Sequence, residues 1–270
     1  MNSELTIFSV FHKEYPIPQS SFIQPIQVGR KFSLVNLGFI SDDEGLDNIA
    51  DKNETYSELT ALYWIWKNLD KIDSQWIGLC HYRRYFILPE TRVKKKIFQT
   101  KTITDLRDVY SKELNDEHLK MVGSDELKKT LLMLLETGNV IIPRPSQTTI
   151  DIPYNASIKH HYIYHHIKED WFLMRNAIKK LYPDLINKFD DFFDTETKMH
   201  NYNMFIADKN TFSSYCNWLF PIIFELEKTV KINEYPYQKR VFGFLSERLF
   251  NLYLSYNNIK TASLPVVFFN

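Results

Sequence analysis

The sequence predicts an α/β fold with a parallel or mixed sheet, because a helical segment leads directly into a buried strand. Apolar side chains recur at helical spacing over residues 57–68. A short apolar run then starts at Ile77 and ends in a polar cluster at residues 81–84, which is typical of a buried strand. A third observation is the β-rich run of residues 5–11. A helix joined to a strand by a short connection is half of a crossover unit.

The polar cluster after Ile77 contains two adjacent arginines, Arg83 and Arg84. Open α/β sheets bind ligands in the crevice beyond the carboxyl ends of their strands, where this cluster is expected to lie. Neighbouring residues of an extended segment point to opposite faces. One guanidinium is therefore suited to grip phosphate through two hydrogen bonds, and the other to orient the loop or a partner carboxylate. The alternative is an exposed arginine pair that caps a strand.

Composition excludes several classes of protein. The chain has 270 residues with 33 basic and 33 acidic side chains, whereas a general nucleic-acid binder carries a basic excess. There are only 7 glycines, and neither a G-x-G-x-x-G motif nor a P-loop is found. The length allows one large α/β domain or two small ones. We therefore expect no nucleic-acid partner and no glycine-rich phosphate loop.

Cysteine content and hydropathy predict a soluble protein of the cytoplasm. The two cysteines provide neither a disulfide framework nor metal-site spacing, which fits a reducing compartment. The first residues lack the pattern of a secretory signal, and no apolar run approaches the ~20 residues that span a bilayer. A basic run at residues 92–101 is interpreted as a solvated loop or, alternatively, as a peripheral contact with the inner face of the plasma membrane.

The segment between the first strand and the helix of residues 57–68 offers further candidates. The strand of residues 5–11 ends in His12 and Lys13, and a short apolar piece ends at Gly29. An acidic loop at residues 41–53 could bind a divalent cation through oxygen ligands, or sugar hydroxyls, although turn formation explains most of its Asp and Asn content. Glu58 opens the helix, where the helix dipole favours a carboxylate; an active-site role is the alternative.

The middle of the chain predicts a charged excursion followed by a helix and a strand. Residues 91–126 are highly charged, with a helix expected near 104–119. A helix is predicted over residues 125–136, with a buried leucine face. The next buried strand, residues 140–142, is stopped by prolines that flank Arg144, a second cation at a strand's carboxyl end.

Residues 154–166 are rich in histidine and tyrosine. His161 and His165 lie one helical turn apart, a spacing that can ligate zinc. The H-E-x-x-H arrangement and a clear third ligand are absent from the sequence. Recognition of sugar hydroxyls and a polar helix face are the alternatives. An amphipathic helix then runs from Trp171 to the proline at position 183.

The last third of the chain predicts two strands and two helices. A strand is expected within residues 199–207, and a long helix over 212–230, with a kink or break at Pro221. Gly243 is expected to mark a turn or a close approach of the backbone, and residues 246–248 to head an apolar helix. Residues 262–269 are predicted to form the final strand.

Two long motifs resemble a bacterial family encoded in capsule, O-antigen and exopolysaccharide gene clusters. They are ELTALYWIWKN at residues 58–68 and IGLCHYRRYF at residues 77–86. Shorter matches follow one another along nearly the whole chain, at residues 12–13, 25–29, 201–206, 215–220 and 240–249. The family was long labelled only as a domain of unknown function and is now grouped with glycosyltransferases.

The resemblance implies one GT-A-like (Rossmann-like) domain over residues 1–270, with a mixed central sheet flanked by helices. It implies a hexosyltransferase that moves a sugar from a nucleotide donor, with UDP-galactofuranose as the leading donor, onto a surface-polysaccharide or lipid-linked glycan. Many GT-A enzymes carry an Asp-x-Asp metal motif, whereas this chain has residues 81–84 at the comparable place. Mn²⁺ or Mg²⁺ therefore stays an alternative to a cationic side chain that neutralises the leaving diphosphate.

Residue roles follow from this resemblance and from side-chain chemistry. We expect Glu247 to be the general base for the acceptor hydroxyl, with Asp42 as second candidate, and Arg83 and Arg84 to stabilise the leaving diphosphate. Further contacts with the donor are expected from His12, Lys13, Gly29, Glu58, His81, Tyr82 and Arg248. Contacts with the sugar or acceptor are expected from Arg144, His200, Asn201 and Asn203.

Two other classes of protein remain as alternatives. A non-catalytic carbohydrate-binding or assembly protein of the same pathway would need aromatic platforms but no charged cluster at the strand ends. A nucleotide-sugar-modifying enzyme would turn over the donor without an acceptor.

Overall fold

The computed structural model describes residues 4–89, 109–148 and 156–270, and a ten-stranded mixed sheet runs through them. Two further short strands form a separate pair. The strands are β1 Leu5–Phe11, β2 Ile23–Gln27, β3 Ile40–Ser41, β4 Trp76–His81, β5 Arg84–Phe86, β6 Val109–Lys112, β7 Val140–Pro143, β8 Ser146–Gln147, β9 Lys198–Met199, β10 Phe205–Asp208, β11 Thr261–Leu264 and β12 Val266–Phe269.

Helices accompany the sheet along most of the described chain. They are α1 Asn53–Tyr56, α2 Leu59–Lys67, α3 Asp116–Val122, α4 Asp125–Glu136, α5 Ile158–His165, α6 Lys168–Leu181, α7 Ile186–Thr195, α8 Lys209–Glu227 and α9 Val241–Tyr256. Side-chain caps begin α3, α4, α5 and α8, in each case through an Asn, Ser or Asp oxygen that accepts a backbone N–H of the first turn.

The strand order along the main path is β11-β7-β10-β4-β1-β2-β3. β1 pairs in parallel with both β2 and β4, β2 pairs in parallel with β3, and β10 is antiparallel to its neighbours β4 and β7. A side branch is formed by β5, β12 and β6. This mostly parallel sheet with flanking helices confirms the predicted α/β class and is consistent with a GT-A-like fold.

Apolar side chains cover both faces of the sheet. Successive residues of a strand point to opposite faces, so Ile7 and Phe8 of β1 lie in different hydrophobic clusters, as do Phe205 and Ile206 of β10. Every residue of β1 is buried, as expected for a strand between two layers. Helices α2, α8 and α9 pack on one face, and α4 packs on the other.

The strand order reverses direction at β1. From β1 the chain places β2 and β3 on one side and β4 on the other. The carboxyl ends of β1 and β4 therefore flank a topological switch point, where open α/β sheets form a ligand crevice. His12 follows β1 and His81 ends β4, so both residues lie at this place.

Several predicted boundaries are wrong for identifiable reasons. The helix α8 continues through Pro221, so the predicted break is absent. Proline removes one backbone donor, and packing of the buried face stabilises the rest of the helix. The predicted final strand is split at Pro265, so that β11 pairs with β7 and β12 pairs with β5 and β6. Part of the helix expected near 104–119 is instead β6, and α3 begins only after Asn115.

The start of α9 also differs from the prediction. Gly243 lies inside the first turn of α9, so it marks no turn. It does mark a close approach, because a Cβ atom at Gly243 would lie 3.4 Å from Cβ and Oγ of Ser57. Glu247 consequently lies within the helix and not at its start. The basic run at residues 92–101 lies outside the described residues.

Candidate functional site

The IGLCHYRRYF motif forms a hairpin and not a single strand. β4 ends at His81, residues 82 and 83 form the turn, and Arg84 begins β5. His81 and Arg84 are directly opposite across the hairpin. Such pairs project to the same face of a sheet, and both residues line the same two cavities. The sequence predicted an extended segment in which the two arginines point to opposite faces. The structure has a turn here instead, and this turn keeps both arginines near the switch point.

Two adjoining cavities lie at this hairpin. The first, which we call the switch-point cavity, has a volume of about 350 Å³ and is lined by residues that follow β1, β2 and β4, including His12 and Val28. The second, the histidine cavity, has a volume of about 330 Å³ and is lined by three histidines of the α5 region. Both volumes suit a small ligand. The residues that line both cavities, and so form their boundary, are Glu58, His81, Arg84 and Arg240.

Aromatic rings hold the two hairpin arginines. The guanidinium carbon of Arg84 lies 4.8 Å from the ring centre of Tyr202 and 4.9 Å from that of Phe268. That of Arg83 lies 5.1 Å from Tyr82 and 5.0 Å from Phe268. Within the described chain, Arg84 donates no side-chain hydrogen bond, and the buried Nε of Arg83 has no acceptor. Burial lowers the pKa of Arg84, which nevertheless stays charged in proteins. The N–H groups of Arg84 are thus oriented by two rings and available to an anion.

Arg240 is a third cation at the boundary, and it was not among the residues expected to bind a ligand. Its Nε donates to Ser57 Oγ at 3.0 Å, and its Nη2 lies 4.0 Å from Oε2 of Glu58. Half of its side chain is exposed. The sequence feature that could have identified Arg240 is its position in the stretch 240–249, which resembles the family and leads into the apolar helix.

Glu247 is a nearly buried carboxylate that lines the histidine cavity. Its Oε1 accepts the backbone N–H of Tyr202 at 2.7 Å, and its Oε2 accepts Nη1 of Arg248 at 2.9 Å. Burial raises the pKa of Glu247, and the nearby charge of Glu58 raises it further, against the opposing effects of Arg248 and Arg84. A raised pKa makes the ionised carboxylate a stronger base.

Arg248 holds the wall of the histidine cavity and is only 2% exposed. Its Nη1 also donates to the carbonyl of Phe244 at 2.9 Å, and its Nη2 lies 3.2 Å from Nδ1 of His161. Because a guanidinium only donates, Nδ1 of His161 accepts this bond. Arg248 therefore supports Glu247 and His161, and its expected contact with the donor stays a prediction.

A two-residue turn, Tyr202-Asn203, contacts four residues of the site. Both residues have positive φ angles, 77° and 50°, a conformation that non-glycine residues seldom adopt. The Tyr202 N–H binds Glu247, its carbonyl accepts Nε2 of His81 at 2.6 Å, and its ring faces Arg84. The Asn203 amide donates to Oε1 of Glu58 at 2.6 Å. Strained backbone of this kind is concentrated at functional sites.

The same turn fixes the protonation of His81. Because a carbonyl can only accept, Nε2 of His81 carries the proton that binds Tyr202. Burial lowers the pKa of His81, although Glu58 acts in the opposite direction. His81 is therefore a neutral imidazole at the boundary of the two cavities at neutral pH.

Only some of the other residues expected to contact the donor line the switch-point cavity. His12 and Tyr82 line the switch-point cavity, with ring centres 5.0 Å apart. Burial and nearby cations lower the pKa of His12. Lys13 and Gly29 line neither cavity; Lys13 Nζ lies 5.9 Å from the centre of the Tyr82 ring, and Gly29 adopts a φ of 65° just after the cavity residue Val28.

Asp42 does not lie in either cavity, and its expected role as an alternative base is corrected. It is fully buried, and its Oδ2 accepts the N–H of Gly29 at 2.9 Å and the hydroxyl of Thr60 at 2.7 Å. A carboxylate without exposed atoms cannot meet an acceptor hydroxyl. Asp42 instead fixes the turn after β2.

The four residues expected to bind the sugar or acceptor are dispersed. Asn201 lines the histidine cavity and donates to Ser146 Oγ, whereas Asn203 is buried behind Glu58. His200 lines a separate cavity, where its Nδ1 donates to the carbonyl of Pro143 at 2.6 Å. Arg144 lines neither cavity at the hairpin. The assignment of His200 and Arg144 to this site is therefore corrected.

The histidine cavity contains further residues that the sequence did not identify. Pairing of β8 with β9 brings Ser146 and Gln147 to it. Tyr237 and Phe244 contribute aromatic faces. His161, His165 and His166 are the residues for which zinc, sugar hydroxyls or a polar helix face were considered, and all three line the cavity.

The described residues contain no group of three His, Cys, Asp or Glu side chains placed to hold a metal ion. In the acidic loop, Asp43 accepts the hydroxyl of Ser41, and Asp47 pairs with Tyr63 and Lys67. These carboxylates are therefore bound by groups of the protein itself. As far as the chain is described, none of its helices has the length and apolar character needed to cross a membrane.

Comparison with known proteins agrees with this arrangement. A solved structure described as the apo form of the bifunctional glycosyltransferase WbbM superposes with a TM-score of 0.82 and 28% sequence identity, over 99% of this chain and 46% of that chain. The present chain thus spans about half the length of that protein. None of the curated proteins matches the sequence. The family described as "Domain of unknown function (DUF4422)" matches residues 6–258. As the sequence motifs predicted, this chain belongs to that family, DUF4422.

Proposed function

We propose that this chain is a glycosyltransferase that moves a hexose from a nucleotide donor to a hydroxyl of a glycan acceptor. The leading donor is UDP-galactofuranose, with other UDP-hexoses as alternatives, and the acceptor is a surface polysaccharide or a lipid-linked glycan. The observation that carries the proposal is the guanidinium of Arg84, which lies on the boundary of two adjoining cavities and donates no side-chain hydrogen bond within the described chain.

The diphosphate of the donor is assigned to this boundary. Arg83, Arg84 and Arg240 bring three positive charges to the switch-point cavity, and arginine binds phosphate oxygens through paired hydrogen bonds. Charge on the departing diphosphate grows during sugar transfer, so fixed cations aimed at it stabilise the transition state. We assign the stabilisation of the departing diphosphate to these arginines.

The nucleoside is assigned to the switch-point cavity. Open α/β sheets bind nucleotides at such a switch point, and here Val10, His12 and Val28 form part of the cavity wall. The sugar then extends past Arg84 and Glu58 towards the histidine cavity.

Glu247 is assigned the role of general base. It lines only the histidine cavity, whereas Glu58 faces both cavities and its carboxylate is held by Asn203 and lies 4.0 Å from Arg240. The raised pKa of Glu247 favours proton transfer from the attacking hydroxyl. The description of WbbM as a bifunctional glycosyltransferase also supports sugar transfer as the reaction.

The test is UDP release from UDP-galactofuranose, UDP-galactopyranose and UDP-glucose, measured with and without glycan acceptors and with and without Mn²⁺. We expect UDP to bind, and release to increase when an acceptor is present. Release that is independent of any acceptor would indicate a nucleotide-sugar-modifying enzyme. Absence of both UDP binding and UDP release would overturn the proposal.

A further inference from the structure

The histidine cavity carries an aromatic wall formed by His166, Tyr237 and Phe244. The ring centres of His166 and Phe244 lie 4.2 Å apart in a stacked arrangement, and those of Tyr237 and Phe244 lie 5.0 Å apart. All three rings line the cavity. Tyr237 is 51% exposed, so its ring is not part of the hydrophobic core.

Several charged or titratable groups that line this cavity are paired or neutral. Glu247 and Arg248 pair directly at 2.9 Å and largely compensate each other's charge. Burial lowers the pKa of His166 to about 3, so its ring is neutral at physiological pH. Nδ1 of His161 accepts a bond from Arg248 and is therefore unprotonated. The guanidinium of Arg240 adjoins the aromatic wall, with its central carbon 5.7 Å from the ring centre of Phe244.

Polar but uncharged groups line the same cavity. Gln147 lines it and, within the described chain, forms no side-chain hydrogen bond. Asn201 also lines it and donates through its amide nitrogen to Ser146 Oγ. Aromatic faces together with amide groups match a sugar ring, which has apolar C–H faces and hydroxyls at its edge.

On the basis of the proposed transfer reaction, we infer that the histidine cavity binds the acceptor as an uncharged hexopyranose, stacked on the aromatic wall at Tyr237. Gln147 and Asn201 line the same cavity and can bind its hydroxyls, and the proposed base Glu247 lines that cavity as well. The acceptor sugar is thus recognised by stacking and neutral hydrogen bonds, whereas the donor diphosphate is recognised by charge.

The test uses the full chain saturated with UDP and three probes: the methyl glycosides of β-galactopyranose, β-glucopyranose and α-mannopyranose. Binding is followed by saturation-transfer NMR titration. We expect at least one glycoside to bind, with its Kd raised about five- to tenfold by Tyr237→Ala and changed less than about twofold by Tyr237→Phe, which keeps the ring. Tyr235→Ala is the matched control, because Tyr235 is also exposed but lines neither cavity.

The outcomes separate this inference from the proposed function. UDP binding is measured first by calorimetry, and its absence would count against the proposed function. If UDP binds but no glycoside binds, or if Tyr237→Ala binds the glycosides as the wild type does, the acceptor inference fails alone. If glycoside binding is lost when a UDP-hexose replaces UDP, the aromatic wall holds the donor sugar. That outcome also overturns the acceptor inference.

Discussion

The switch-point cavity and the histidine cavity share a boundary but are assembled in different ways. The first combines residues that follow parallel strands, such as His12 after β1 and Val28 after β2, with residues of the segment 53–58 and Arg240. The second collects side chains from β8, from α5, from the turn at residues 202–203 and from α9. The order of the strands therefore fixes the position of the first cavity. The second cavity depends on segments that only tertiary packing brings together.

The largest expected effect separates base catalysis from donor binding. Glu247→Gln keeps the shape of the side chain but removes the base, so we expect kcat to fall roughly 10²–10⁴-fold. UDP binding in the other cavity should change little, as measured by calorimetry. The matched control is Glu234→Gln, at an exposed position outside both cavities. Turnover close to that of the wild type would remove Glu247 from the role of base.

The second prediction concerns the boundary itself. Arg84→Ala removes a guanidinium whose donors face the cavities, so we expect UDP affinity to fall by about 1.5–3 kcal/mol, or roughly 10- to 150-fold. Arg175→Ala is the control, because Arg175 forms a partly exposed ion pair with Asp190 and lines neither cavity. Equal affinities of the Arg84 variant and the wild type for UDP would place the diphosphate elsewhere.

The third prediction tests the turn that links the two cavities. Asn203→Ala loses the bonds to Glu58 and to the carbonyl of Gly243 and keeps a Cβ atom at a φ of 50°. We expect the free energy of unfolding to fall by about 1–3 kcal/mol. Asn203→Gly should lose about 1 kcal/mol less, because glycine tolerates this backbone conformation.

Urea unfolding of both Asn203 variants measures the difference, with unchanged m values as the control for a comparable unfolded state. A glycine variant that is less stable than the alanine variant would contradict the assigned backbone strain.

The smallest expected effect is on pH dependence. Transfer requires ionised Glu247, so activity should rise with pH through its raised pKa. Since Glu58 contributes to that raised pKa, Glu58→Gln should move the acidic limb of the kcat profile to lower pH by less than about one unit. Glu234→Gln again serves as the control, and an acidic limb that moves to higher pH in Glu58→Gln would contradict the coupling.

The raised pKa of Glu247 also makes the stability of the folded chain depend on pH. Because the pKa of Glu247 is higher in the folded chain than in the unfolded chain, the folded state binds this proton more tightly. The resulting contribution to stability is present below the ordinary pKa of glutamate and is lost as pH rises through the raised value.

Much of the fold was accessible from the sequence. Short β-rich or apolar runs located β1, β4 and β7, and helical spacing of apolar residues located α2 and α4, since these elements bury a face or a whole segment whose apolar residues are adjacent along the chain. The pattern was less informative where tertiary contacts override local preference. Pro221 inside α8 and the hairpin turn at residues 82–83 are examples, because packing and pairing partners distant in sequence decide both.

The sequence by itself determined the α/β class, the family and the placement of His81 at the end of a strand with Arg83 and Arg84 close behind it. Apolar patterns are sufficient for the class and the strand, whereas the family follows from the resemblance of the two long motifs. Only the tertiary structure decided that Asp42 and His200 lie outside the two cavities, and that Tyr202-Asn203 joins Glu58 to Glu247. The reason is physical: the direction of a side chain depends on strand pairing and helix packing between segments that are up to 189 residues apart, as Glu58 and Glu247 are.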